Sequence, residues 1–387
     1  MITKQSTGAH IIRFLSILFM VLGLAACSST PEPKPEPPKP APEPAPMVEP
    51  EPAPPPAVVK PDHPDSYTVV KGDTLWDIAS RFLNDPWLWP ELWHINTEIR
   101  NPHLIYPGDV IVLQYVDGKP YITMDGAAAA TPKYDKPAIK SFKLSPKIRS
   151  ESIEKAITTI PRELIAPFLS RPRVATEDEI DAAPHIIASY ERHLITGTGN
   201  KIYAKGFSDK LFGSYHVVRP GIEYEDPETG ETLGYELIDL ANANVQKTGD
   251  PVTLIVSEAR QEVINGDLLF PHEEKKLDFR FIPRAPTEKI NGQIIHVING
   301  LNLIGQYNIV VINRGAKDGL EPGHVLAVLQ KGEEVRNPRS VFGWGTEKLP
   351  DERAGVMMIF SVKEKLSFGL IMEAQKTIRR MDKVTNP

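Results

Sequence analysis

Cysteine is nearly missing from this chain: 387 residues hold one, Cys27. A single thiol closes no intramolecular disulfide and builds no Cys-rich zinc site, so neither staple is available. Aromatic residues make up 7% and hydrophobic residues 41%, a modest supply for so long a chain. Basic residues are not in excess, with 44 Lys and Arg against 50 Asp and Glu and a formal net charge of −6. That balance argues against a grip on nucleic acid through its phosphates. Signatures of catalysis are scarce too. The ten His form no His-x-His or His-Glu-x-x-His pair, and no Gly-x-Ser-x-Gly elbow occurs. No metal, no cofactor and no catalytic residue is expected.

What the chain does have is strongly local. Lys4 and Arg13 are the only formal charges before residue 32, and residues 14–26 form an apolar run of 13. A bilayer-spanning helix needs about 20, so a basic start followed by this short run reads as a secretory leader, residues 1–26. The run ends Leu24-Ala25-Ala26-Cys27, which resembles the lipobox of bacterial lipoproteins. The resemblance implies cleavage before Cys27 and diacylation of its thiol. Two acyl chains, at about 0.8 kcal/mol per buried methylene, hold a protein on a membrane stably. Ser28, where the family's inner-membrane members carry Asp, implies delivery to the outer membrane, facing the periplasm. A plain cleaved leader with a chance Cys is the alternative. Loss of Lys4 and Arg13 with the leader takes the charge from −6 to −8.

Residues 27–64 read as a disordered stalk. Positions 31–64 carry 16 of the 38 Pro. Such a stretch forms neither helix nor ladder and favours polyproline II at about 3.1 Å per residue, on the order of 100 Å of spacer. Its P-x-x-P patterns also suit a Pro-binding module, the alternative role.

Residues 65–115 carry the functional signal. Tyr67, Val69 and Val70 make a short strand pattern closed by Gly72. Thr74-x-x-Asp77 is a capping box, and Leu75, Ile78, Ala79 and Phe82 share one helical face. Asn84-Asp85-Pro86 ends that helix, Pro90 and Glu91 open a second with Leu92 and Ile95 inward, and Pro107-Gly108-Asp109 turns into the strand Val110–Leu113. Strand, helix, helix, strand in so few residues is a very small domain with a marginal core. The matches Tyr67-Thr68-Val69, Gly72 to Trp76, Ile78-Ala79, Trp93 to Asn96 and Leu104 to Ile111 resemble the LysM domain, a glycan-binding module of bacterial cell-wall proteins. The insert Asp85 to Pro90 is longer than the plain pattern. In that family the sugar groove lies between the loop after the first strand and the loop before the second. The resemblance thus implies Gly72, Asp73, Thr74 and Leu75 on one wall, Asn101, Leu104, Ile105 and Pro107 on the other, and an N-acetylglucosamine-containing glycan, peptidoglycan, as ligand. Across 66–115 three basic residues meet six acidic ones. Shape and hydrogen bonding, not charge, must therefore carry recognition. Trp76 and Trp93 read as core, while Trp87 and Trp89 suit core or sugar stacking equally.

The remainder reads as linker with short helices over 116–184, then strands. Ile153, Ala156, Ile157 and Ile160 share a helical face, and Thr176-x-x-Glu179 is a second capping box. Strands are expected at Val252–Val256, Ile294–Ile298, Ile309–Ile312, Val325–Leu329, Val356–Val362 and Phe368–Met372. Leu254-Ile255-Val256 with Ala259, Val263 and Asp267 echoes Leu370-Ile371-Met372 with Ala374, Ile378 and Asp382. The expectation is an α+β protein: a βααβ LysM unit and two related barrel- or sandwich-like β subdomains, 185–285 and 286–387. Their layout is similar to the C-terminal portion of larger bacterial LysM lipoproteins, which names no activity.

The reading is a non-catalytic, lipid-anchored envelope protein that binds peptidoglycan, with 185–387 free to dock an envelope partner. The alternatives are a wall hydrolase or its activator, or a scaffold whose β region takes the partner while the LysM unit sets its position. Glu151-Ser152 resembles the Glu-Ser pair of lytic transglycosylases without that family's following helix motifs.

Overall fold

Thr74 starts the first helix as its spacing predicts. Its hydroxyl accepts from the Asp77 N–H at 3.1 Å, and the Asp77 carboxylate accepts from the Thr74 N–H at 3.1 Å. The structure, a computed structural model, describes residues 57–93, 105–116, 118–124, 156–171, 173–190, 195–208, 210–272, 279–298, 303–337, 339 and 345–387. The leader, Cys27 and most of the Pro-rich stretch lie outside them.

The LysM-like unit runs β1 (Ser66–Thr68), α1 (Leu75–Phe82), a 3₁₀ turn at Pro86–Leu88, α2 (Trp89–Trp93), β2 (Val110–Val116) and β3 (Lys119–Met124). The sheet is antiparallel in the order β1-β2-β3, with Tyr67 opposite Ile111 and Leu113 opposite Ile122. Strand β3 comes from the stretch read as linker. It completes the core, which holds Leu75, Ile78, Ala79, Phe82, Leu92, Ile111 and Ile122. Trp76, Trp87 and Trp89 are all buried there, so the two ambiguous Trp are core rather than stacking platforms.

A connecting region follows, with α3 (Arg162–Ser170), β4 (Val174–Ala175) and α4 (Glu177–Asp181). The capping box at Thr176 and Glu179 is formed. The helical face expected through Ala156, Ile157 and Ile160 is not: 156–160 is non-helical. Two β-branched Thr and the bias against helix in the residue before Pro161 oppose a turn here. The backbone groups of this segment bond elsewhere, as described below.

Two β-barrels complete the chain. The first contains β5 (His185–Ser189), β6 (Lys201–Lys205), β7 (Ser214–Glu225), β8 (Thr232–Lys247), β9 (Val252–Ala259) and β10 (Leu268–Pro271). Its antiparallel pairings run β5-β6-β9-β8-β7-β10 and back to β5, an unbroken ring, with β4 added outside β8. The second contains β11 (Asn291–Val297), β12 (Leu303–Ile304), β13 (Ile309–Ile312), β14 (Val325–Gln330), β15 (Glu334–Arg336), β16 (Thr346–Lys348), β17 (Glu352–Val362), β18 (Ser367–Ala374), β19 (Ile378–Arg379) and β20 (Lys383–Thr385). Its closed ring is β11-β13-β18-β17-β14-β20, with β12–β19 and β15–β16 as separate pairs. Taking the six ring strands of each barrel in chain order, both rings read first, second, fifth, fourth, third, sixth.

The internal echo in the sequence falls on this duplication. The two Leu-Ile triplets lie on the fifth strands. After each, two consecutive N–H groups share one carbonyl: Arg260 and Gln261 on Leu240, Gln375 and Lys376 on Ala354. Asp267 accepts from the Ile264 N–H at 2.7 Å and Asp382 from the Arg379 N–H at 2.8 Å, the same three-residue loop twice.

Packing explains why the second barrel is so apolar. Val310, Ile312, Leu326, Val328, Met357, Ile359 and Ile371 fill its interior. Their alternates Val311, Val325, Val356, Met358, Phe360, Phe368 and Leu370 belong to a cluster shared with α3 and the LysM-like core. Both faces of these strands are covered, so the runs lose the polar alternation of a half-exposed strand.

Candidate functional site

The groove expected between the two loops can be built from its floor. Val69 exchanges backbone hydrogen bonds with the loop opposite, donating to Asp109 and accepting from Gly108, each at 2.8 Å. One wall turns at Gly72, whose φ of +102° is a left-handed conformation that side chains strain to adopt. Asp73 follows, and its carboxylate accepts from the Val70 N–H and the Tyr67 hydroxyl, both at 2.8 Å. Burial first, then this carboxylate, raise the Tyr67 hydroxyl pKa. Asp73 is therefore committed to shaping its loop. On the opposite wall Asp109 accepts from the Tyr106 N–H at 2.9 Å.

The predicted residues separate by exposure. Gly72 and Pro107 face solvent and Asp73 is half-buried, whereas Thr74, Leu75 and Ile105 are buried. Asn101 and Leu104 lie outside the described residues, as do Cys27, the stretch 94–96 and Glu151-Ser152.

What buries Leu75 and Ile105 is the chain itself. The first N–H groups of a helix have no partner within it. Here the Leu75 N–H donates to the Thr158 carbonyl at 2.9 Å and the Trp76 N–H to the Thr159 carbonyl at 3.4 Å. Across the groove the Ile157 N–H donates to the Ile105 carbonyl at 2.9 Å. Residues 157 and 158 thus bond both walls at once. The segment is held from behind as well, since the Thr159 hydroxyl donates to the Phe281 carbonyl at 2.7 Å and Ile160 is fully buried.

The LysM-like unit also touches the second barrel directly. Tyr307 donates its hydroxyl to Asp77 Oδ1 at 3.0 Å, while Asp77 Oδ2 serves the capping box. Arg353 pairs with Asp85 at 3.2 Å. Burial, and then Asp77, push the Tyr307 hydroxyl pKa up to about 12. A cavity of about 260 Å³ remains in this contact, lined by Trp76, Asp77, Ser80, Gln306 and Glu373 among others. Sequence reasoning missed Tyr307 and the 157–159 segment, because their partners lie far away along the chain.

A further set of titratable groups lies in the first barrel. His216 stacks on His272 at 4.3 Å between ring centres, and its Nδ1 lies 3.1 Å from Asn242 Oδ1. Burial, then the neighbouring His272, lower the His216 pKa to about 4. Arg260 and Arg171 pair with the buried Asp239 at 2.6 and 2.9 Å. Arg260 Nη2 also donates to Asp239 Oδ1 at 2.8 Å, so this carboxylate is engaged by two guanidinium groups. Among the described residues no three His, Cys, Asp or Glu converge as metal ligands.

Comparison with known proteins bears on the LysM-like unit. Residues 67–114 match the family model described as LysM domain. A 55-residue stretch is 44% identical to the "Uncharacterized protein YqbP" of Bacillus subtilis (strain 168). That stretch is 12% of this chain and 25% of the relative, so the likeness covers a small part of each. The chain contains a LysM domain, which supports binding of N-acetylglucosamine-containing glycan and fits a place in the cell envelope.

Proposed function

We propose that this chain is a non-catalytic envelope lipoprotein whose LysM domain binds peptidoglycan, anchored through Cys27 to the outer membrane on its periplasmic side. The observation that carries the reading is the LysM match over 67–114, on a fold whose two loops form the walls of a groove. Near-neutral glycan suits this groove, because its walls present the backbone N–H of Leu75 and carbonyl of Ile105, while the carboxylates of Asp73 and Asp109 are engaged within their own loops. The duplicated barrels offer a docking body for an envelope partner.

Co-sedimentation with purified sacculi at physiological salt tests the central claim. Because 157 and 158 lie in the groove, the wild-type chain and the Ile157→Pro chain are both assayed. The reading fails if neither sediments. Labelling by a fatty-acid probe, abolished by Cys27→Ala, tests the anchor, and sacculus zymography with no clearing tests the lack of hydrolase activity.

A further inference from the structure

The segment in the groove carries the chemistry of the ligand the groove is proposed to take. An N-acetyl group offers one amide N–H, one amide carbonyl and a methyl. Ile157 and Thr158 offer one amide N–H, one amide carbonyl and a buried aliphatic side chain, delivered to Ile105 on one wall and Leu75 on the other. The same two wall groups cannot serve a sugar while the segment is in place. A glycan must displace it or find the groove otherwise engaged.

The two sides of the segment are fastened unequally. Toward the LysM domain its backbone makes three hydrogen bonds, at 2.9, 2.9 and 3.4 Å. Toward the barrel side it continues into α3, with Ile160 and Ile165 fully buried and Thr159 bonded to Phe281. The domain also ties to the barrel through Asp77 to Tyr307 and Asp85 to Arg353, and the cavity beside them interrupts the packing.

We infer that residues 156–160 are a built-in pseudo-ligand that closes the LysM groove, and that glycan binds only when the LysM domain and this segment separate. The inference rests on the glycan-binding reading above and adds its regulation. In the closed form the chain holds its wall-binding site in reserve. The docked domain and the second barrel share a hydrophobic cluster, so closed is the resting state. Whatever draws the domain off the barrel, glycan at high local density included, opens the site. The apparent affinity is then the intrinsic affinity scaled by the open fraction.

The test titrates the full-length soluble chain (Cys27→Ala, without the leader) with hexa-N-acetylchitohexaose. Ile157→Pro removes the N–H that bonds Ile105 and is expected to tighten binding about 10- to 100-fold, the factor an open fraction of about 1–10% imposes. Hydrogen exchange of the wild-type chain gives a mutation-free readout: saturating sugar should deprotect the Ile157 amide. That measurement decides the matter should the Pro variant fail to fold. Equal affinities, with Ile157 still protected in the sugar complex, overturn the pseudo-ligand while leaving glycan binding intact. If the segment is shown by exchange to have left the groove and still no chain binds sugar or sacculi, the glycan reading falls and the pseudo-ligand with it.

Discussion

Asp77 is the residue on which two levels of this structure meet, so its removal should be felt at both. One carboxylate oxygen receives the Thr74 N–H of the capping box, and the other receives the Tyr307 hydroxyl from the second barrel. Replacing it with Ala removes the reciprocal half of the cap, worth about 1 kcal/mol. It also orphans a half-buried phenol, at a cost of about 1–2 kcal/mol. Asp77→Ala should therefore destabilise by about 2–3 kcal/mol and Tyr307→Phe by about 1 kcal/mol. The double variant should recover about 1 kcal/mol relative to the sum, because the hydrogen bond is lost only once. The assay is urea unfolding followed by Trp fluorescence, since Trp76, Trp87 and Trp89 are all buried in the LysM core. A coupling energy of about zero would show that the LysM domain does not sit on this barrel in solution, and would refute the docked arrangement.

Acid should weaken both barrels. Burial, then a cationic neighbour, lower His324 to about 4, with Arg284 and Glu321 facing it; His216, among His272, Asp239, Asn242 and Arg260, is lowered to about 4 as well. A depressed folded pKa contributes stability that is present above about 6.5 and lost as pH falls through about 4, an upper bound of about 3 kcal/mol per His. His324 Nδ1 accepts the Glu321 N–H, so His324→Asn, which keeps an acceptor but cannot titrate, should remove its share from a pH series of melts. The duplicated loop predicts opposite effects at equivalent sites: φ is +94° at Gly266 and +74° at Met381. Met381→Gly should stabilise by about 0.5 kcal/mol and Gly266→Ala destabilise by about 1 kcal/mol, read by thermal unfolding. Ile160→Ala should cost about 2–4 kcal/mol as a cavity in the shared cluster; a loss under about 1 kcal/mol would mean the segment is not packed as described.

Much of this was legible locally. The capping boxes at Thr74 and Thr176, the helical face of α1, the turn at Gly72 and six later strands all depend on neighbours within a few residues, which is where sequence patterns carry information. The echo between 254–267 and 370–382 was legible too, and it marked equivalent strands of two barrels with one topology. Less was legible at the groove. Ile157 and Ile160 are spaced for a helix, yet their segment is non-helical, because its backbone is bonded to Leu75 and Ile105 some 50 to 80 positions away. Trp87 and Trp89 were ambiguous for a related reason: a Trp beside a sugar groove and a Trp beneath it read alike until a third strand, β3, covers the core.

Contacts between near neighbours and the period of the apolar residues specify the parts: a short α+β LysM module with its loop chemistry, and a repeated β unit. How those parts meet depends on packing between residues far apart along the chain. Strands apolar on both faces, such as Ile309–Ile312, must be covered outside as well as in, and the chain covers them with the LysM core and α3. That same burial brings Thr158 and Thr159 to the unpaired N–H groups at the start of α1, because buried backbone donors must find partners and these carbonyls are the ones within reach.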